Sequence, residues 1–274
     1  MSGLEDHAGD IVRKSRMGLN VPLETILQKS GLNQEALARF EDNGRVDNEI
    51  SWEGVCKLLE LSPKKFQDVL SGWIPTPVAQ DSSPQLRQIS TDDGGMQVNA
   101  FLVWDLNSRE AALFDTGWNP APINALLKDH SLTLKHLFIT HQHHDHVAAM
   151  TPLRSEHPEM HLWAQGQGVP SQCQVIDGQT FTLGKLNIEA RWTPGHAPDG
   201  VTYIVSGLTG AHPIAAIVGD AIFAGSMGGA PKHFALAKKK VREVVLALPG
   251  STLICPGHGP MTTVDQENLH NPLF

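Results

Sequence analysis

Thr140-His141-Gln142-His143-His144-Asp145-His146 packs four histidines and one aspartate into seven residues. A lone histidine is most often a surface or core residue, but this density is a ligand pattern. Imidazole nitrogen suits Zn²⁺ and Fe²⁺, and carboxylate oxygen suits the same borderline ions. The apolar run Leu137-Phe138-Ile139 just ahead reads as a buried strand, which delivers the cluster to a strand end. In extended chain the rings of His141 and His143 project to one side. A turn into helix immediately afterwards swings Asp145 and His146 towards a second ion beside the first.

Two adjacent ions need more donors than one loop carries, and the rest lie further along. His196 follows the strand-like run Leu186–Arg191 in Thr-Pro-Gly-His, and His258 follows Thr252–Cys255 in Cys-Pro-Gly-His-Gly. Pro-Gly ahead of a histidine sets the ring on a tight, rigid turn. Asp220 ends the run Ile214–Val218 in Val-Gly-Asp, where a carboxylate can bridge two ions.

His-x-His-x-Asp-His followed by the later His, Asp and His resembles the metallo-β-lactamase superfamily. Phe114-Asp115-Thr116-Gly117 is similar to that family's strand-to-turn segment ahead of the histidines. The resemblance covers about residues 86–274 and implies an α/β fold, the αββα sandwich with two ions at one edge. It implies that His141, His143 and His196 hold the first ion, that Asp145, His146 and His258 hold the second, and that Asp220 bridges them. The nearest resemblance within the superfamily is to short glyoxalase II-like (hydroxyacylglutathione hydrolase-like) enzymes. It rests on GDAIFAGSMGG after Asp220, on LPGSTLICPGHGPMTT, and on Glu267-Asn268 and Asn271-Pro272. The chain departs from the family at Gly229-Ala230-Pro231, where an Arg-x-Asp often stands. The 16 residues after His258 hold no long helical glutathione-binding region, so glutathione recognition is not carried over.

Such a site hydrolyses without a protein nucleophile. Two cations acidify a shared water, and Asp145, the expected catalytic residue, both ligates and orients the hydroxide. The expected function is therefore a metal-dependent thioesterase or ester hydrolase acting on a small acyl substrate. Zinc is the expected metal, with iron and manganese compatible with the donor set. The alternatives are a mononuclear iron persulfide dioxygenase, a lactonase or β-lactamase, and, from another class, a partner-binding regulatory protein. Phe223, Met227 and Lys232 follow the bridging aspartate and are candidates for the substrate pocket. His144 is expected to face solvent or support a ligand. His136, His161 and His233 are read as structural or surface residues, and Tyr203 as core.

Residues 1–74 read as a small helical domain of two helix–turn–helix units. Leu23, Ile26 and Leu27 keep helical spacing up to Gly31, and Asn33 caps a second helix that ends near Asn43-Gly44. The pattern recurs with Trp52, Val55 and Cys56, then Ser62 as cap before Phe66 and Val69. Each unit is too small to bury its apolar face alone, so the two are expected to pack together. Nine basic against twelve acidic side chains in this region oppose phosphate binding and hence a nucleic-acid role. Docking of a partner, homo-oligomerisation, or a cover over the catalytic domain is expected instead. Residues 75–85 (PTPVAQDSSPQ) read as a linker, and residues 86–274 as the hydrolase domain. Strands are expected at Val98–Trp104, Ala111–Phe114, His161–Ala164 and Val201–Val205. Helices are expected at Pro122–Leu127, Val147–Arg154 and Phe234–Leu248.

Composition supports a folded chain: 274 residues with 41% hydrophobic and 18% charged side chains. The net charge of −8 also argues against a polyanionic partner. Cys56, Cys173 and Cys255 are odd in number and share no ligand spacing, which argues against a disulfide framework. No apolar stretch reaches membrane-spanning length and no signal-peptide core is present at the amino terminus, so a reducing cytoplasm is the expected location.

Overall fold

The apolar runs around the histidines form two stacked sheets in a computed structural model that describes residues 3–46, 50–79 and 82–274. The amino-terminal helices come first: α1 (Ala8–Gly18), α2 (Leu23–Ser30), α3 (Gln34–Asn43), α4 (Glu53–Leu58) and α5 (Pro63–Leu70). The first sheet then takes β1 (Leu86–Asp92), β2 (Gln97–Trp104), β3 (Glu110–Phe114), β4 (Thr133–Phe138) and β5 (His161–Trp163), in that order across the sheet. Helices α6 (Ala121–Asp129), α7 (His144–Val147) and α8 (Met150–Glu156) lie between these strands in sequence. The second sheet holds β6 (Thr180–Leu183), β7 (Leu186–Trp192), β8 (Val201–Ser206), β9 (Ile214–Gly219), β10 (Leu253–Pro256) and β11 (Thr262–Thr263), with spatial order β11-β10-β9-β8-β7-β6. Helices α9 (Phe234–Lys240) and α10 (Val264–His270) complete the chain.

Alternation along the strands assigns the layers. In β2, Phe101 and Val103 face the second sheet and pack with Phe114, Phe138, Ile188, Tyr203 and Ile217. The intervening Ala100, Leu102 and Trp104 face α6 and α8 with Ile123, Leu127 and Leu153. β2 is therefore buried on both faces, which explains its unbroken apolar run. On the far side, Ala216, Val218 and Ile254 pack against Val241, Val245 and Val264. Helix, sheet, sheet and helix follow one another, as expected. Each fully buried large apolar side chain contributes roughly 1.5–3 kcal/mol to holding these layers.

Topology gathers the site. β3 and β4 run parallel, as do β9 and β10, while β8 runs antiparallel to both β7 and β9. β7, β9 and β10 therefore point the same way, and their carboxyl ends release His196, Asp220 and His258 at one edge.

Several local expectations are refined. Asn33 caps α3 by accepting from Ala36 N at 2.8 Å, and Gly31 and Gly44 end α2 and α3 in left-handed conformation. Ser62 makes no side-chain cap bond; Pro63, with its fixed φ, starts α5 instead. The helix expected over Val147–Arg154 is split. Ala149 N turns aside to Gly117 O and Thr116 Oγ1, and Pro152 has no N–H to continue a preceding turn. The helix expected over Phe234–Leu248 widens into a π turn at Val241–Val245.

The amino-terminal helices do not have a core to themselves. Ile11, Phe40, Trp52 and Phe66 share one cluster with Met227, Phe234, Ala237 and Leu273. Trp52 stacks on Phe40 at 4.6 Å, Arg16 forks onto Glu41 with two 2.8 Å bonds, and Ser62 N donates to Pro272 O. Of the expected linker, residues 80–81 lie outside the described residues. Elsewhere in it, Thr76 N donates to Gln266 Oε1 at 2.6 Å and Val78 packs on the core between the sheets. No helix among the described residues is long and apolar enough to cross a membrane. All three cysteines are free thiols, and burial pushes Cys56 up to about 12.

Candidate metal centre

All seven predicted donors meet at this edge. His141, His143, His196 and Asp220 offer ligand atoms within 4.8 Å of one another, and so do Asp145, His146 and His258. In the first group, His143 Nδ1 lies 3.0 Å from His141 Nε2 and 3.1 Å from His196 Nε2. Metal–nitrogen bonds of about 2.0–2.1 Å at tetrahedral angles separate such nitrogens by about 3.3 Å, close to this spacing. Asp220 stands between the groups. Its Oδ2 is 3.4 Å from His196 Nε2 and 3.5 Å from His258 Nε2, and its Oδ1 is 3.4 Å from His146 Nε2. Asp145 Oδ2 completes the second group, 3.2 Å from His258 Nε2 and 3.4 Å from His146 Nε2.

Two observations test whether divalent cations suit these donors. His146 Nε2 and Asp220 Oδ1 are fully buried polar atoms without a hydrogen-bond partner, an arrangement that is costly unless a ligand satisfies it. A Cβ on Gly257 would stand 2.4 Å from Asp220 Oδ1 and 2.6 Å from His146 Cε1, so glycine keeps this cradle open. The donor set fits.

The opposite edge of each ring is held by the protein. His146 Nδ1 lies 2.8 Å from Asp115 Oδ2, His258 Nδ1 2.6 Å from Gln97 O, and His196 Nδ1 2.9 Å from Gly229 O. His141 Nδ1 faces Thr140 Oγ1 at 3.1 Å, and that hydroxyl donates to Asp115 Oδ2 at 2.8 Å. With Nδ1–H donating in each case, Nε2 presents its lone pair to the centre. His143 is the exception, exposed and turned inward through Nδ1.

In sequence Asp115 is only one member of a motif, and its role comes from three-dimensional placement. It adopts φ 57°, unusual for a non-glycine residue, and costs of order 1 kcal/mol there. The turn is held because Asp115 N donates to Phe138 O and its Oδ1 accepts from Thr140 N, both at 2.8 Å. Asn99 carries no signal in the sequence alone: buried on β2, it donates to Pro256 O and Gly259 O on both sides of His258.

Electrostatics separate the groups. Burial, together with His146 and the other rings, drives His141 down to about 2, and burial also lowers His196. Burial opposes charge on His146 as well, yet Asp115 and Asp220 raise it to about 10. At His258, Asp145 and Asp220 outweigh burial and raise it to about 11. Asp220 lies well below the usual carboxylate range despite burial, through His146 and His258.

Of the pocket candidates, Phe223 is buried with its ring 5.8 Å from that of His258. Met227 is fully buried in the core of the amino-terminal helices, which places its side chain there and not in a substrate pocket. Lys232 is exposed. His144 is exposed and edge-on to Trp118, and His136 accepts from Trp163 Nε1 at 3.0 Å. Tyr203 is core, donating to Ile139 O. Beside the His141–His143 loop, Gln142, Gln165, Gln167, Gln174 and Asp199 line an open groove of about 600 Å³.

Known proteins are similar to this chain in sequence and fold. Residues 93–172 match the metallo-beta-lactamase superfamily. The chain is 32% identical over 181 residues to the human mitochondrial persulfide dioxygenase ETHE1, covering 63% of this chain and 69% of that protein. It is 29% identical over 208 residues to the probable metallo-hydrolase YqgX of Bacillus subtilis, covering 66% and 94%. With the hydroxyacylglutathione hydrolase GloC of Haemophilus influenzae the identity is 27% over 204 residues, covering 65% and 93%. Among solved structures, ETHE1 from Myxococcus xanthus superposes with a TM-score of 0.57 at 26% identity, covering 68% of this chain and 83% of that one. With these relatives, two packed sheets and His/Asp donor groups at one edge, the chain belongs to the metallo-β-lactamase superfamily, whose members bind divalent metals.

Proposed function

We propose that the chain is a metal-dependent hydrolase that cleaves thioesters or related esters of a small acyl group at a site for two divalent cations. Asp220 carries this reading, because one buried carboxylate lies within 3.5 Å of ring nitrogens from both donor groups. His141, His143, His196 and Asp220 would hold one ion, and Asp145, His146, His258 and Asp220 the other. Zinc is the metal best suited to this mainly imidazole set, and iron and manganese are accommodated by the same donors. Bound there, the ions supply Lewis acidity and a water acidified to near neutral pH.

The protein's own groups do the rest. Asp145, held below the ordinary carboxylate range by His258 and His146 against burial, stays ionised and can accept the proton of an attacking water. Asp115 and Thr140 fix the tautomers that aim His146 and His141 inward. The glutamine-lined groove offers amide donors and acceptors to a polar acyl substrate, and the buried Phe223 ring backs His258 from inside the protein.

A second reading, a mononuclear iron persulfide dioxygenase, is favoured by the 32% identity to human ETHE1. Two histidines and a carboxylate around one ion suit non-haem iron. The two separate in one experiment, in which metal-loaded protein is assayed for chelator-sensitive thioester hydrolysis and for oxygen uptake on a persulfide. Hydrolysis without oxygen uptake is expected. Oxygen uptake with iron bound and no hydrolysis would replace the hydrolase reading.

A further inference from the structure

The amino-terminal segment packs against the turn that carries His258. Gly259, next to His258, is left-handed at φ 71°, and a Cβ there would lie 3.1 Å from both the backbone N and the Cβ of Glu5. The chain around Glu5 is thus laid directly on the His258 turn. Its neighbours anchor it: Asp6 accepts from Ser226 Oγ at 2.6 Å and pairs with Lys14, while Lys14 Nζ also donates to Met227 O at 3.0 Å. Lys14 lies 5.1 Å over the Phe223 ring, the same ring that stands 5.8 Å from His258.

Among the acidic groups in this corner, Glu5 differs in having no hydrogen bond or ion pair to a described residue. Lys14 is occupied by Asp6, and Asp145 and Asp220 face the histidines. Glu5 forms no hydrogen bond or ion pair with any described residue, and it is exposed. Although the residue as a whole is exposed, part of its side chain is covered by the protein, which raises its pKa, while His258 lowers it, with Asp6, Lys14 and Asp220 also within electrostatic reach. The Glu5 side chain therefore starts from a backbone position laid against the residue that follows His258.

Resting on the proposed hydrolase reading, we infer that Glu5 selects substrates whose leaving group carries a positive charge, placing that charge beside the His258 side of the centre. The amino-terminal helices thereby become part of the specificity wall. Anionic leaving groups are repelled by the same carboxylate, and neutral ones are left between.

The test uses two thiols of similar length as leaving-group mimics: thiocholine, a permanent cation, and 3-mercaptopropionate, an anion. Each is titrated into the full chain loaded with Co²⁺ and followed by sulfur-to-cobalt absorption. Wild-type protein should bind thiocholine about tenfold more tightly, the scale of one charge pair at a few ångströms in partly screened surroundings. Glu5→Gln should bring the ratio towards one, and Glu5→Lys should invert it. Equal binding of the two thiols by wild type, binding of neither, or a ratio unmoved by both variants would overturn the inference. Hydrolysis of acetylthiocholine is measured in parallel. Charge-selective thiol binding without that turnover would remove the thioesterase reading and leave Glu5's role standing.

Discussion

The two donor groups differ in what stands behind them. Behind His141 and His196 are a hydroxyl, Thr140 Oγ1, and a backbone carbonyl, Gly229 O. Burial keeps these rings neutral, and His141 falls to about 2. The second group is built on carboxylates. Asp115 backs His146, Asp145 faces His258, and the two rings rise to about 10 and about 11. The first group is backed by a hydroxyl and a carbonyl and the second by carboxylates, with Asp220 shared between them. Ions of equal charge would therefore meet different surroundings at the two positions, which is how one site can divide the work of polarising a carbonyl and receiving a leaving group.

Removing the shared carboxylate should do the most damage. Asp220→Ala is expected to lower kcat/KM for thioester hydrolysis on the order of 10³-fold, with loss of metal from both groups. A variant that keeps full metal at the first group and near-normal turnover would show that Asp220 is not shared.

The loop after Asp220 depends on a second buried carboxylate. Glu267 Oε2 accepts from Gly225 N and Asn271 Nδ2, and its Oε1 from Thr262 Oγ1. Burial raises it from 4.5 to about 7. Because the folded value lies above the unfolded one, the folded state binds more proton between these limits, and this group's contribution to stability falls as pH rises from about 4.5 to about 7. Across that window the stability of wild type relative to Glu267→Gln should fall by on the order of 3 kcal/mol, read from denaturant unfolding at several pH values. A constant difference between the two proteins would contradict the assignment.

Asp115→Asn should act on one side of the comparison. It keeps the shape of the turn and removes the charge behind His146, so affinity at the second group should drop about 10–100-fold. The first group, measured in the same metal titration, should change less. Equal weakening at both would mean that Asp115 acts mainly through its bond to Thr140.

The donors were legible in sequence because ligand type and spacing are local properties. His141 to His146 lie on one loop, and the Pro-Gly turns before His196 and His258 announce rigid perches. What stands behind the rings was not legible. Asp115 meets His146 across 31 residues of chain, and Gln97 O and Gly229 O are backbone atoms that no residue type reveals. The amino-terminal helices divide in the same way. Gly31, Asn33 and Gly44 marked the ends of α2 and α3, since capping is chemistry within one turn. Docking was hidden, because Met227, Phe234 and Leu273 join that core from far along the chain, and Met227 reads as a pocket residue until its burial is seen.

The central claim is a pair of ions joined by Asp220, and metal stoichiometry tests it most directly. Metal-free protein is reconstituted with Zn²⁺, desalted and analysed for elemental zinc beside His258→Ala. About two ions per chain in wild type and about one in the variant is the predicted result. About one ion per chain in wild type, unchanged by loss of His258, would contradict it.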